Sequence, residues 1–218
     1  MIMRIILLLA FVSLCIIDRV SAENAPREPN IAVVVVLDKS ASMKRSDRIG
    51  QAREALNSLI VTLREEDLIG ITAFDEAPFV ILPLRKVRDQ RAIAAKRIEH
   101  ILPAGRTNLF PALTQATEAL RQAKAREKHI VVVTDGGKRQ EPQDEGFSEL
   151  VSDCYGQGIT LSAVLLAKES DFGFLRTLVE KGGGQFYQTT ERKALARILV
   201  DDVAAVRSRE TTKYSQQP

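Results

Sequence analysis

A chain of 218 residues that is 45% apolar and 27% charged has the composition of one ordinary soluble domain, large enough to bury its core without disulfides or a structural metal. The net charge of +3 is spread along the chain, and the few aromatic residues do not interleave with basic clusters, which argues against a nucleic-acid surface with its basic stripe and stacking rings. Of the two cysteines, Cys15 lies in the N-terminal apolar run and Cys154 on a helical apolar stripe, so an internal disulfide framework is excluded and Cys154 is expected to be a buried thiol.

At the N-terminus, Arg4 precedes an uncharged apolar run from Ile5 to Ile17, followed by Asp18-Arg19-Val20-Ser21-Ala22. The run is shorter than the roughly 20 residues that span a bilayer. Val20-Ser21-Ala22 sets small residues where a signal peptidase cuts, so residues 1–22 are expected to be a signal peptide, with an uncleaved anchor or a buried helix as alternatives. Leu14 before Cys15 fits a lipoprotein cleavage site poorly. Both leading readings put the domain outside the cytoplasmic membrane, periplasmic, extracellular or tethered to its outer face, with membrane contact only through this segment. Residues 23–30, with Pro26 and Pro29, are a polar spacer, residues 31–207 the domain, and residues 208–218 a polar tail.

Within the domain, Ile31 to Leu37 is a continuous apolar, mostly β-branched run, as a strand buried on both faces should be. Ile49, Ala52, Leu56, Leu59, Ile60 and Leu63 follow helical spacing, with Ser46 or Asp47 as N-cap. Asp67–Phe74 and Phe79–Leu84 read as strands joined by so short a link that they must pair antiparallel, and Pro83 places the second at an edge. Helices follow over Asp89–Ile101 and from Leu109 to Ala123, with Asn108 near the start of the latter. His129–Thr134 is a strand, Glu145–Tyr155 a helix, Ile159–Leu166 a strand, Phe172–Lys181 a helix and Gln185–Gln188 a short strand. A final stripe runs through Leu195, Ile198, Leu199, Val203 and Val206, and Thr211 to Pro218 is polar. This alternation predicts a doubly wound α/β fold whose central sheet is mostly parallel with one antiparallel edge strand. Ligands of such sheets bind beyond the carboxyl ends of the strands, where the strand order reverses.

Three short segments carry the chemistry: Asp38-Lys39-Ser40-Ala41-Ser42, Gly105-Arg106-Thr107-Asn108 and Thr134-Asp135-Gly136-Gly137. The first and third each follow an apolar strand. Asp38, Ser40, Ser42, Thr107 and Asp135 together offer two carboxylates and three hydroxyls, an oxygen-only set that suits a hard divalent cation such as Mg2+, with Mn2+ or Ca2+ as substitutes. His and Cys are absent from the three segments, which argues against zinc or copper. The bland alternative is that Asp38 and Asp135 merely cap turns and helices, a role that gives no place to Thr107.

The Asp-x-Ser-x-Ser, Thr and Asp-Gly pattern, in this order, resembles the metal-ion-dependent adhesion site (MIDAS) of von Willebrand factor type A (VWA) domains, bacterial ones in particular. The resemblance runs from about Ile31 to about Arg207 and includes the Gly-x-Thr-Asn stretch from Gly105 to Leu113. It implies a Rossmann-like VWA fold in which the first strand and the His129 strand are neighbours. It further implies that Ser40, Ser42 and Thr107 coordinate the ion directly or nearly so, while Asp38 and Asp135 bind directly or through water. A hydroxyl-rich shell leaves the ion electron-poor, so an Asp or Glu of a partner protein completes the coordination. The expected function is divalent-cation-dependent protein binding, without catalysis. A metal-dependent hydrolase or phosphatase and a metal-free structural module are the competing readings.

Lys39, Arg106, Lys138 and Arg139, with Lys44 and Arg45 close by, form either solvated surface charge or a basic collar that steers an acidic partner. Gly182-Gly183-Gly184 reads as a turn, since a phosphate loop follows a strand and opens a helix. Asp75 and Glu76 read as a plain turn or as part of the site's rim. His100 and His129 read as structural, with no triad partner in view.

Overall fold

The computed structural model describes residues 29–136, 146–168 and 173–214, the last six of them by backbone alone. The expected signal segment, most of the spacer, and Gly137, Lys138 and Arg139 lie outside the described residues. In chain order the elements are β1 (Ile31–Asp38), a 3₁₀ segment (Ala41–Asp47), α1 (Arg48–Thr62), β2 (Leu68–Phe74), β3 (Pro78–Lys86), α2 (Val87–Glu99) and α3 (Leu109–Gln122). There follow β4 (Glu127–Thr134), α4 (Phe147–Gly156), β5 (Ile159–Leu165), α5 (Gly173–Lys181), β6 (Gly183–Gln188) and α6 (Arg192–Tyr214). No helix among the described residues is long and apolar enough to cross a membrane.

The six strands are ordered β3-β2-β1-β4-β5-β6. All pair in parallel except β2 with β3, and Pro83 sits on that outer strand as expected. This is the doubly wound order, and the reversal falls between β1 and β4. All eight residues of β1 are buried because helices cover both faces of the sheet. Alternation then sorts the side chains: Val33, Val35 and Leu37 pack on α1, α2 and α6, whereas Ala32, Val34 and Val36 pack on α3, α4 and α5. The thiol of Cys154 lies wholly inside this second layer, 3.1 Å from the Thr117 hydroxyl. Burial pushes it up from its ordinary value, as an inert core thiol requires.

Three local expectations are corrected. Gly183 and Gly184 are strand residues of β6, not a turn; a Cβ on Gly184 would lie 2.0 Å from the Leu161 carbonyl oxygen, so the triplet lets two backbones meet. Asp47 precedes α1 in a left-handed conformation and makes no side-chain cap; its carboxylate pairs instead with Arg192 at 2.6 Å. The last helix runs on to Tyr214, into the stretch read as tail, because no Gly or Pro interrupts residues 207–214 beyond the inner stripe that ends at Val206.

The long α6 is fastened to the rest at its start, middle and end. Arg192 bridges Asp47 and Glu54, and Arg207 pairs with the buried Asp67. Between them, buried Asp202 accepts hydrogen bonds from Ser162 (2.9 Å) and Tyr187 (3.1 Å) on Oδ1, and its Oδ2 lies 2.9 Å from His129 Nε2. The other ring nitrogen of His129 meets the Thr160 hydroxyl at 2.7 Å. His129 is structural as expected, yet it does have a carboxylate partner. The group is still no catalytic triad: Ser162 bonds the carboxylate and not the imidazole, and serine and histidine are both wholly buried.

Candidate functional site at the carboxyl edge of the sheet

Because β1 and β4 are adjacent and parallel, with Leu37 level with Val133, Asp38 and the Thr134–Asp135 pair emerge side by side at the strand-order reversal. Asp38 is fully buried and Asp135 only 6% exposed. Asp38 Oδ1 accepts the Ser40 backbone N–H at 2.7 Å, which curls the loop back over the strand end. Its Oδ2 accepts the Thr134 hydroxyl at 2.6 Å, across the β1–β4 seam. The Ser40 and Ser42 hydroxyls stand 3.0 Å apart, and Ser42 donates to Asp135 Oδ1 at 2.8 Å. Four of the five sequence-derived residues thus gather in one hydrogen-bonded group.

The fifth, Thr107, is held beside them by its backbone. Ala41 N–H donates to the Gly105 carbonyl (3.0 Å), Ala104 N–H to Lys39 (2.7 Å) and Asn108 N–H to Asp75 (2.7 Å). Thr107 is 5% exposed between these anchors. Gly105 adopts φ +71°, and a Cβ there would lie 2.9 Å from Asp75 Cβ, so the loop passes Asp75 only as glycine. Among the described residues no hydrogen bond joins the Thr107 hydroxyl to the other four.

Burial is the largest influence on Asp38 and raises its carboxyl above the usual carboxylate range; hydrogen bonds from Thr134 and Ser40 pull it back in part, and the nearby Asp135 charge adds to the rise. Burial also acts upward on Asp75, but there the Lys39 ammonium and the Ala77 N–H outweigh it and hold the carboxyl below its ordinary value. Asp75 is therefore neither a plain turn residue nor a bystander: it secures Lys39 and the Gly105 loop. Lys39 is correspondingly not solvated surface charge. It is paired with Asp75 and lies 4.5 Å from the Phe79 ring centre. Lys44, Arg45 and Arg106 are exposed, as either reading of the basic collar requires, while Lys138 and Arg139 lie outside the described residues.

Two participants were not singled out from the sequence. Thr134 ties Asp38 across the seam, and a hydroxyl directly after the apolar run from Ile130 to Val133 was the available signal. Arg48 opens α1 and donates from Nη1 to Asp135 Oδ2 at 2.5 Å. No local pattern marks it, because the two are 87 residues apart. Among the described residues no three of His, Cys, Asp and Glu gather as a metal cluster; this group has two carboxylates, and its remaining oxygens are hydroxyls.

Residues 33–138 match the family described as von Willebrand factor type A domain. An uncharacterized protein of Synechocystis sp. is 32% identical over 120 residues, which is 53% of this chain and 27% of that protein. This chain spans about a fifth to a quarter of the length of the curated relatives it matches. Among solved structures, a von Willebrand factor type A protein from Catenulispora acidiphila superposes with a TM-score of 0.75 at 21% identity, covering 83% of this chain and 43% of the other. An aerotolerance-related membrane protein from Bacteroides fragilis superposes at 0.67 with 16% identity, covering 81% of this chain and 99% of the other. The sheet order, the antiparallel edge strand and the match across β1 to β4 lead to one conclusion: this chain carries a von Willebrand factor type A domain.

Proposed function

We propose that this domain is a divalent-cation-dependent protein-binding module, in which Asp38, Ser40, Ser42, Thr107 and Asp135 hold the ion and a carboxylate of a partner protein completes its coordination. VWA domains commonly mediate protein interactions, and the cation dependence is the specific step taken here. The observation that carries it is the pairing of two buried carboxylates with two serine hydroxyls at the one edge of the sheet where doubly wound folds take ligands. Buried carboxylates side by side repel: burial first, and the nearby Asp135 charge in addition, push the Asp38 carboxyl up against the hydrogen bonds that hold it. A small dication relieves both at once. The donor chemistry fits: carboxylate and hydroxyl oxygens suit Mg2+, with Mn2+ or Ca2+ as substitutes.

The ion, once bound, supplies an electron-poor centre for an anionic oxygen. The chain's own residues do the rest: Thr134 orients Asp38, the Ser40 N–H fixes its second oxygen, and the Gly105 loop presents Thr107. Among the described residues at this edge no histidine or cysteine stands by as base or nucleophile, so binding is favoured over hydrolysis or phosphate transfer. The exposed Lys44, Arg45 and Arg106 suit an acidic partner. An exported or membrane-tethered location follows from the N-terminal apolar run and accords with the Bacteroides fragilis relative, a membrane protein.

The test is a pull-down from envelope extract with and without chelator, using the wild-type domain and Asp38→Ala. The expected result is a partner retained by wild type in Mg2+ and lost with chelator or with the variant. Millimolar Mg2+ should also raise the wild-type Tm, because a ligand that binds only the folded state stabilises it. A Tm insensitive to Mg2+, Mn2+ and Ca2+ together with chelator-resistant capture would leave a metal-free module.

A further inference from the structure

Asp135 already has a cation on it. The Arg48 guanidinium sits 2.5 Å from Oδ2, while Oδ1 takes the Ser42 hydroxyl. The Arg48 side chain is 20% exposed, and that of Asp135 only 1%, so the charge–charge contact is screened from water on the carboxylate side. We propose that Arg48 is a resident counter-ion that competes with the divalent cation for Asp135 and thereby sets the affinity of the site. This rests on the cation-binding reading and adds to it which residue of this chain must move for the ion to be held.

The backbone delivers Arg48 to that place under constraint. Ser46 and Asp47, immediately before it, adopt φ of 50° and 52°, a left-handed conformation that residues with a Cβ rarely take in succession. Packing and hydrogen bonds hold the pair there. Met43 is fully buried beneath the turn, Gln51 Nε2 donates to the Ser46 carbonyl at 2.9 Å, and Arg192 grips Asp47 at 2.6 Å. A relaxed turn would set α1 off at another angle and withdraw the guanidinium from the carboxylate. Beside Arg48 lies a cavity of about 290 Å³ bordered by Ser46, Gln51, Leu166, Thr190 and the exposed Lys168, so the side chain has room to swing aside.

The physical consequence is an exchange. Without a dication, Arg48 offsets the buried charge of Asp135 and stabilises the fold. When a dication arrives, Asp135 can serve it fully only after the guanidinium has left. Binding is therefore weaker than the donor set alone would give, by the free energy of breaking the Arg48 contact. The site holds metal more firmly whenever something else draws Arg48 away, and an acidic partner that supplies the completing carboxylate is well placed to do so.

The experiment compares wild type, Arg48→Gln and Arg48→Lys by calorimetric titration with Mg2+, by Mn2+ titration followed by electron paramagnetic resonance, and by melting in chelator and in Mg2+. Arg48→Gln is expected to bind Mn2+ and Mg2+ about tenfold more tightly than wild type, within the range usual for coupled equilibria. It should melt lower in chelator and show the larger rise on adding Mg2+. Arg48→Lys, which keeps a charge but not the planar fork, should lie between. Equal affinities in wild type and Arg48→Gln, or a weaker Arg48→Gln whose circular dichroism is native, would overturn the proposal while leaving the cation site standing. Absence of binding in all three folded proteins would overturn the cation site itself, and this inference with it.

Discussion

Asp202 and Asp135 are both buried carboxylates with several partners, and they are built to opposite ends. Asp202 receives its partners from three strands, through His129, Ser162 and Tyr187, while it projects from a helix packed over them. It is enclosed from every side and saturated by its own chain. Asp135 and its neighbour Asp38 take their described side-chain and backbone partners from the carboxyl end of β4, the segment after β1 and the start of α1, all at the same edge of the sheet, and among the described residues the side-chain cation seen on the pair is Arg48. The difference teaches that burial and hydrogen bonding do not by themselves mark a carboxylate as structural or functional. What differs is where the partners come from: the strands opposite its helix for Asp202, one edge of the sheet for Asp38 and Asp135.

The sharpest way to break this contrast is Asp202→Ala. It strands an imidazole and two hydroxyls in the core and is expected to cost about 3 kcal/mol, seen as a Tm lower by roughly 10 °C. A loss under a quarter of that would mean that the Asp202 hydrogen bonds contribute little to holding α6. Thr134→Val removes one hydrogen bond from the already burdened Asp38 carboxylate and should cost about 1–2 kcal/mol in chelator by urea unfolding. Asp38→Asn is expected to change stability in chelator by less than about 1 kcal/mol, because it exchanges a costly buried charge for a neutral amide, yet to abolish the Mg2+-induced rise in Tm. A large destabilisation in chelator would make Asp38 a structural residue like Asp202. At the small end stands Asp201→Ala. Asp201 adjoins Asp202 in sequence but is 69% exposed, and its contact with Arg197 spans 3.7 Å, so its loss should register within about 0.5 kcal/mol.

Much of the fold was legible because its elements announce themselves over short distances. Ile31 to Leu37 could only be a strand covered on both faces, and the four-residue gap after Phe74 forced an antiparallel partner on β2. The Asp38 segment and Asp135 were equally legible, since each follows its strand directly. Three of the readings failed over a contact between distant residues. Gly184 belongs to a strand because the Leu161 backbone presses against it, and nothing local distinguishes that from a turn. Asp47 carries the residue type of a cap, but Arg192 claims its carboxylate. Lys39 read as surface charge or basic collar and Asp75 as a turn or part of the rim, and the two are one ion pair.

The amino-acid order alone therefore determined the alternation of strands and helices, the doubly wound class and the oxygen-bearing side chains at the strand ends, because hydrophobic period and loop chemistry are encoded within a few residues. Only the tertiary structure decided which charges meet: Arg48 on Asp135, Lys39 on Asp75, and His129 with Asp202. Coulomb and hydrogen-bond energies depend on distance in space and on the water excluded between the groups, and neither quantity is written in residue order.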